Sequence, residues 1–189
     1  MINTLILTEK EGWHFQQLKN SLEKKKHKIM SACLTDISLS IEKNKSNIFI
    51  NNNRLNDIDN VIVRFVPGGT LEEIVFYLNI LKILKSMNIK VINTASSIEC
   101  TVDKLYTSHL LNKNDIPTPM TYILRGYNKA KKFIAENNTS NGIVYKPLFG
   151  SQGDNIKLIK NSLDFNKLNN TSNIYYFQEY LENTINHDY

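Results

Sequence analysis

VIVRFVPGGTLEEIVFYLNILKILKSMNIKVIN, residues 61–93, decides the fold class. Val61 to Val66 is rich in β-branched side chains and runs into Pro67, Gly68 and Gly69, which stop a strand. Thr70 and Glu73 then make a capping-box pattern, and Leu71, Ile74, Val75, Leu78, Leu81 and Leu84 recur at three and four residues. A helix with one buried face is expected there, and Lys90 to Asn93 reads as a second strand. Strand, helix and strand in this order form a crossover unit, the connection that joins parallel neighbours.

The same reading extends in both directions. Upstream, Thr4 to Thr8 is a short apolar run fit for a buried strand, Trp13 to Lys28 has helical spacing, and Ile29 to Leu34 is a second apolar stretch. Asn51, Asn52 and Asn53 follow Ile48 to Ile50 and predict a small hairpin, because asparagine tolerates turn geometry. The opening part is thus an α/β layer domain. Downstream, Ser96 with Glu99 repeats the capping pattern and predicts one helix from Ile98 to about Asn112, ended by Pro117 and Pro119. Beyond the prolines come predicted strands at Met120 to Leu124, Ile143 to Leu148, Asn155 to Ile159 and Ile174 to Leu181, with a helix at Asn128 to Glu136. Asn137 to Gly142 and Lys167 to Asn173 read as polar loops. This second part is a small α+β module.

Composition narrows the function classes. Hydrophobic residues at 41% and charged residues at 22% are ordinary globular usage for a chain of 189 residues. No apolar run approaches the roughly 18 residues of a membrane span, and Glu9, Lys10 and Glu11 interrupt the start, so a cytoplasmic protein is expected. Cys33 and Cys100 lie far apart and read as buried thiols, and His14, His27, His109 and His187 are scattered. No metal site of histidine or cysteine is expected. The formal charge of +5 raises the question of nucleic acid. The densest cluster, Lys24, Lys25, Lys26 and Lys28, sits at an expected helix end where cations favour the dipole, so nucleic acid is disfavoured as a partner.

Four stretches are candidates for chemistry. Val144 to Gly153, VYKPLFGSQG, sets Lys146 in a strand before a loop with two glycines. Small residues let backbone N–H groups converge on anionic oxygens while an ammonium adds full charge. The same stretch also fits an ordinary hairpin with Lys146 on a wet face. Lys104, beside Asp103 on the preceding helix, either points across a cleft toward the same phosphates or lies on a solvated face, paired with Asp103 or unpaired. Ile174 to Leu181, IYYFQEYL, is either an apolar slot for a purine with Gln178 and Glu179 as its polar groups, or an amphipathic strand with those residues outward. Gly68 and Gly69 at a helix start are either an anion site, with Arg64 as a bidentate partner for a substrate carboxylate, or simply a capped helix entry.

The ordered series DK at Asp103 and Lys104, PTP at Pro117 to Pro119, YKPLFGSQG at Tyr145 to Gly153, QEYL at Gln178 to Leu181, and then Asp188 resembles the RimK-like ATP-grasp glutamate ligases. The likeness reaches upstream through VIVRFVPGG and covers most of the chain from Val61. It implies an α/β ATP-grasp fold, with a parallel-sheet pre-ATP-grasp domain at 1–96, a connecting helix and linker at 97–119, and a small α+β ATP-binding subdomain at 120–189. It implies ATP-dependent joining of a carboxylate to an amine with Mg2+. It places Lys104 and Lys146 on the ATP phosphates, Gly150, Ser151, Gln152 and Gly153 as a flexible lid, Gln178, Glu179, Tyr180 and Leu181 around the adenine, and Asp188 on the ribose. Where the family often has a further loop glycine this chain has Asn155, the residue that best tolerates left-handed backbone.

Val61 to Lys104 is most similar to the branch linked to tetrahydromethanopterin-type pterins, which implies glutamate and a pterin as the substrates joined. A homo-oligomer is compatible with the sequence. Two other readings stay open: a nucleotide-binding module without catalysis, and a basic nucleic-acid-binding protein. The family takes its magnesium ligands from beyond the QEYL strand and its aspartate, so the 189 residues are expected to be a fragment that does not itself catalyse ligation, with the metal ligands and the C-terminal part of the fold missing. The strand at Ile174 is expected to expose an apolar edge.

Overall fold

The computed structural model describes residues 1–137, 141–150 and 153–182, and the chain divides into two compact units, Met1–Ile98 and Glu99–Tyr189. In the first unit, β1 (Ile2–Leu7), α1 (Trp13–Lys24) and β2 (His27–Ala32) are followed by a three-stranded meander, β3 (Ile37–Glu42), β4 (Lys45–Ile50) and β5 (Asn53–Arg54). Then come β6 (Asn60–Val63), α2 (Leu71–Ser86) and β7 (Lys90–Ile92). β1, β2, β6 and β7 form one parallel sheet in the order β2-β1-β6-β7. The crossover unit expected from residues 61–93 is therefore present as β6-α2-β7.

The reasons are local. The Thr70 hydroxyl accepts from the Glu73 N–H, and the Glu73 carboxylate accepts from the Thr70 N–H at 2.7 Å, so two first-turn donors of α2 are satisfied. Tyr77, Leu78, Ile80, Leu81 and Leu84 bury one face of α2 in a core with Leu5, Leu7, Val61 and Val91. Ile6, between Leu5 and Leu7, is also fully buried and points to the opposite face, so both faces of the sheet are covered. The turns of the meander use left-handed backbone at Lys43 and Asn44, and again at Asn51 and Asn52, two-residue loops that match strand twist. The hairpin expected at Asn51 to Asn53 is thus found.

Several strand ends differ from expectation by a few residues, as at β6, which stops at Val63 and not Val66, and two helices differ for reasons visible in the backbone. α1 ends at Lys24, not Lys28, because Lys26 turns left-handed (φ 63°) and the chain enters β2 at His27. The helix expected from Ile98 to Asn112 is two helices, α3 (Ala95–Val102) and α4 (Lys104–Lys113), split where Asp103 leaves helical geometry and accepts from the N–H groups of Leu105 and Tyr106 at 2.9 and 3.1 Å. The first of these is capped by the Thr94 hydroxyl, which accepts from the Ser97 N–H; Ser96 lies inside the helix and does not cap it.

The second unit continues with β8 (Thr121–Arg125), α5 (Tyr127–Glu136), β9 (Ile143–Lys146), β10 (Lys157–Ile159), α6 (Ser162–Asn166) and β11 (Ile174–Glu179). The sheet is antiparallel in the order β10-β9-β11-β8. β11 is paired on both sides, to β9 and to β8, so the expected bare edge at Ile174 is absent. Its alternate residues Tyr175 and Phe177 enter a core with Ala130, Ile134, Tyr145 and Phe165. Aromatic contacts dominate that core, with Phe133 stacked on Phe177 at 5.6 Å between ring centroids. Cys33 and Cys100 are free and only half-buried. Among the described residues no helix is long and apolar enough to cross a membrane.

Candidate functional site

Alternation along β11 sets the site. Tyr175 and Phe177 face the aromatic core, so Tyr176 and Gln178 face the other side of the sheet, where α4 lies. The Tyr176 hydroxyl meets the Ser108 hydroxyl of α4 at 2.7 Å, which ties that helix to the sheet. Lys104 is the first residue of α4 because Asp103 caps the helix, and its ammonium reaches across to donate to the carbonyls of Gly150 at 3.1 Å and Leu148 at 3.4 Å. The carboxylate of Asp103 is committed to its own helix, so the local Lys104–Asp103 pair is not formed.

Lys146, the last residue of β9, projects to the same side and donates to Gln178 Oε1 at 2.6 Å. Both lysines are half-buried. Burial lowers the pKa of each, and the charge of Lys146 lowers that of Lys104 further. Two cations from separate elements are therefore held together, partly dehydrated, beside a glycine-bearing loop. Like charges so placed favour a polyanion between them.

The loop has the backbone the sequence suggests. Gly153 is left-handed at φ 77° and Asn155 at φ 59°, so asparagine does take the strained position for which the glycine was missing. Gly150 has φ 151°, and a Cβ there would lie 4.0 Å from the Lys104 ammonium. Ser151, Gln152 and Asp188 lie outside the described residues.

Gln178 is 6% exposed, which excludes the outward-facing reading of this residue. Its Nε2 donates to the Thr121 hydroxyl at 3.0 Å, and that hydroxyl donates to the Pro119 carbonyl at 2.9 Å. The sequence marks the PTP motif, Pro119 included, but not Thr121, and the link of both to Gln178 depends on the β8–β11 register. Glu179 is exposed and alternates to the opposite side, beside Phe133, Tyr122 and Gly142, so its carboxylate is not brought to the two lysines. Tyr180 and Leu181 follow the strand end and are exposed. A cleft of about 350 Å³ bounded by Tyr145, Phe149, Asn155 and Asn170 contains neither lysine and lies on the aromatic-core side of β9.

In the first unit, Arg64 lies in a hollow of about 230 Å³ with Thr8, Glu9, Lys10, Gly12 and His14. This hollow is at the carboxyl ends of β1 and β6, where one crossover leaves toward β2 and the other toward β7. Gly68 and Gly69 do not line it. They lead into α2, whose first turn already holds the Glu73 carboxylate, and a Cβ on Gly69 would come within 2.6 Å of that group. A capped helix entry is what stands there. Among the described residues no group of three or more His, Cys, Asp or Glu side chains is gathered as a metal site.

Comparison with known proteins adds descent to this geometry. Residues 2–98 match the RimK PreATP-grasp domain, and residues 101–189 match the RimK-like ATP-grasp domain. The tetrahydromethanopterin:alpha-L-glutamate ligase of Methanococcus maripaludis is 30% identical over 189 residues, an alignment covering 96% of this chain and 62% of that protein. The chain thus spans less than two thirds of that relative's length. The RimK domain ATP-grasp protein of Sphaerobacter thermophilus superposes with a TM-score of 0.72 at 17% identity, over 95% of this chain and 64% of that one. The ATP-grasp ligase PsnB, solved with its minimal precursor, Mg and ADP, superposes with a TM-score of 0.63 at 15% identity, over 95% and 65% of the two chains. These likenesses fix the fold as ATP-grasp, and with both domain models matched along nearly its whole length, the chain belongs to the RimK-like ATP-grasp family.

Proposed function

We propose that the chain supplies the pre-ATP-grasp domain (1–96), connecting segment (97–119) and ATP-binding subdomain (120–189) of an ATP-dependent carboxylate–amine ligase. The observation that carries this reading is that half-buried Lys104 reaches the carbonyls of Leu148 and Gly150 while half-buried Lys146, at the strand end just before that loop, holds Gln178 on the same side of the sheet. In the reaction a substrate carboxylate attacks the γ-phosphate to give an acyl phosphate, and an amine displaces phosphate to form the amide. Lys104 and Lys146 bind the phosphates and offset the charge that grows on the transferring oxygens. Gly150 to Gly153 covers the phosphates, Gln178 to Leu181 borders the adenine, and Asp188 meets the ribose. Magnesium, when bound, neutralises phosphate oxygens; the described residues supply cations to this site, not a metal-ligand set.

For the carboxylate substrate we assign Arg64, which opens on the crevice where the two crossovers diverge, the place at which open α/β sheets bind ligands. Similarity to the methanogen relative favours glutamate and a pterin side chain as the partners joined. The nucleotide part is tested by calorimetric titration of ATP into the chain, with saturable, salt-sensitive binding expected; binding of random duplex DNA in its place would overturn it. Ligation is tested by ADP release that depends on both glutamate and a pterin acceptor. Binding of ATP with no acceptor-dependent ADP release would favour a non-catalytic nucleotide module.

A further inference from the structure

The contact between Lys146 and Gln178 has a fixed direction. An ammonium has donors only, so the Gln178 atom facing it is the carbonyl oxygen, and the amide orientation follows. Nε2 must then face Thr121, whose hydroxyl accepts from it and passes its own hydrogen to the Pro119 carbonyl. The register agrees, since Gln178 lies directly opposite Thr121 on the β8–β11 ladder. Each link in the relay has one possible sense while Lys146 is protonated.

Both ends of the Gln178 amide are therefore engaged within the protein, in a side chain only 6% exposed. A purine edge is left only the second Nε2 hydrogen and the second Oε1 lone pair, on a side chain with almost no free surface. From these hydrogen bonds we infer that Gln178 is a positioning residue, which holds the Lys146 ammonium through a Pro119–Thr121–Gln178 relay and does not itself read the adenine. The inference rests on Lys146 being a phosphate ligand, as proposed above. It leaves the adenine to backbone groups of the strand end at Glu179 to Leu181, and it gives the PTP segment a part in the site through the Pro119 carbonyl. The ionisable group that faces Lys146 from a neighbouring element is the Lys104 ammonium of α4, whose pKa is lowered by burial and then by the Lys146 charge; that of Lys146 is lowered by burial.

The test pairs two measurements on the 189-residue chain. One follows the Lys146 side-chain ammonium by nitrogen-15 NMR against pH in the free protein. The other titrates ATP and, separately, inorganic tripolyphosphate, which has no base. Gln178→Leu should lower the Lys146 pKa, because a carbonyl that favours the charged form is gone, and should weaken both ligands by a similar factor of about ten, the size of a hydrogen bond to a charged group. Gln178→Glu should raise the Lys146 pKa, yet also weaken both ligands, because its carboxylate neutralises the ammonium. Thr121→Val should act as a milder Gln178→Leu, by roughly threefold. Opposite pKa shifts with parallel losses of affinity are not what a merely structural residue gives. Loss of ATP binding alone in Gln178→Leu, with tripolyphosphate affinity and the Lys146 pKa unchanged, would overturn the inference and make Gln178 an adenine reader. If the parent chain binds neither ligand, the nucleotide reading fails, while the NMR arm still decides the relay: a Lys146 pKa indifferent to both Gln178 variants rejects it.

Discussion

Replacing Lys146 by methionine keeps the length of the side chain and removes its charge. The parent ammonium is half-buried at the end of β9, so its bond to a phosphate oxygen is partly shielded from water. A hydrogen bond to a charged group contributes about 1.5–3 kcal/mol net, and partial solvent access puts this one toward the lower part of that range. Roughly 2 kcal/mol corresponds to about thirtyfold weaker ATP binding. Stability should respond far less. Gln178 loses the partner of its carbonyl, a cost of about 1 kcal/mol, while removal of a half-buried cation and of its repulsion with Lys104 offsets that cost. Lys104 loses the smaller of the two causes of its lowered pKa, the Lys146 charge, so its pKa should rise in the variant while burial still holds it down. The assay is calorimetric titration with ATP at neutral pH beside urea unfolding of the same two proteins. An ATP affinity within twofold of the parent would refute the assignment of Lys146 to the phosphates, and a collapse of stability would show that its chief role is structural.

Three more outcomes follow from the geometry. ATP affinity should fall as pH rises through the lowered pKa values of Lys104 and Lys146, beginning below the ordinary lysine value of 10.5, with proton uptake on binding in that window because phosphate favours the charged forms; titration in buffers of different ionisation heat reads it, and pH-independent affinity up to the ordinary lysine value would count against it. Asp103→Ala should cost about 1 kcal/mol in urea unfolding, since two N–H groups of α4 lose their cap, and should displace Lys104 enough to weaken ATP binding; an unchanged midpoint argues that the helix break has another cause. Phe177→Ala should destabilise the second unit by about 3–5 kcal/mol through the cavity left among Phe133, Tyr145, Phe165 and Tyr175, and a loss under 1 kcal/mol would mean that core is not close-packed.

Much of the architecture was legible because local signals agreed with one another. The Thr70–Glu73 box, the apolar repeat behind it and the β-branched run before it all point to one crossover unit, and paired asparagines announce their turn. The misses share a cause. α1 stops at a left-handed lysine with no glycine to mark it, and Asp103 splits a helix whose apolar spacing continues across the break. α6 is a single short helix capped by Asn161, in a stretch too polar and brief to show periodicity. At the site, Lys104 and Lys146 were readable as residue types in a familiar order. Their docking on Gly150, Leu148 and Gln178 depends on contacts across 32 to 46 residues, which pairing register sets and composition does not reveal.

The bonds from Lys104 to the carbonyls of Leu148 and Gly150 bear on how any anion enters this site. Those two oxygens stand in for the solvent and for the ligand alike, so an incoming phosphate does not find a bare cation but must outbid neutral carbonyls already in place. The exchange trades dipoles for full negative charge at nearly constant bond number. Weak, neutral oxygen acceptors such as alcohols are screened out by that competition, and an ion carrying several charges, able to engage Lys104 and Lys146 at once, wins it.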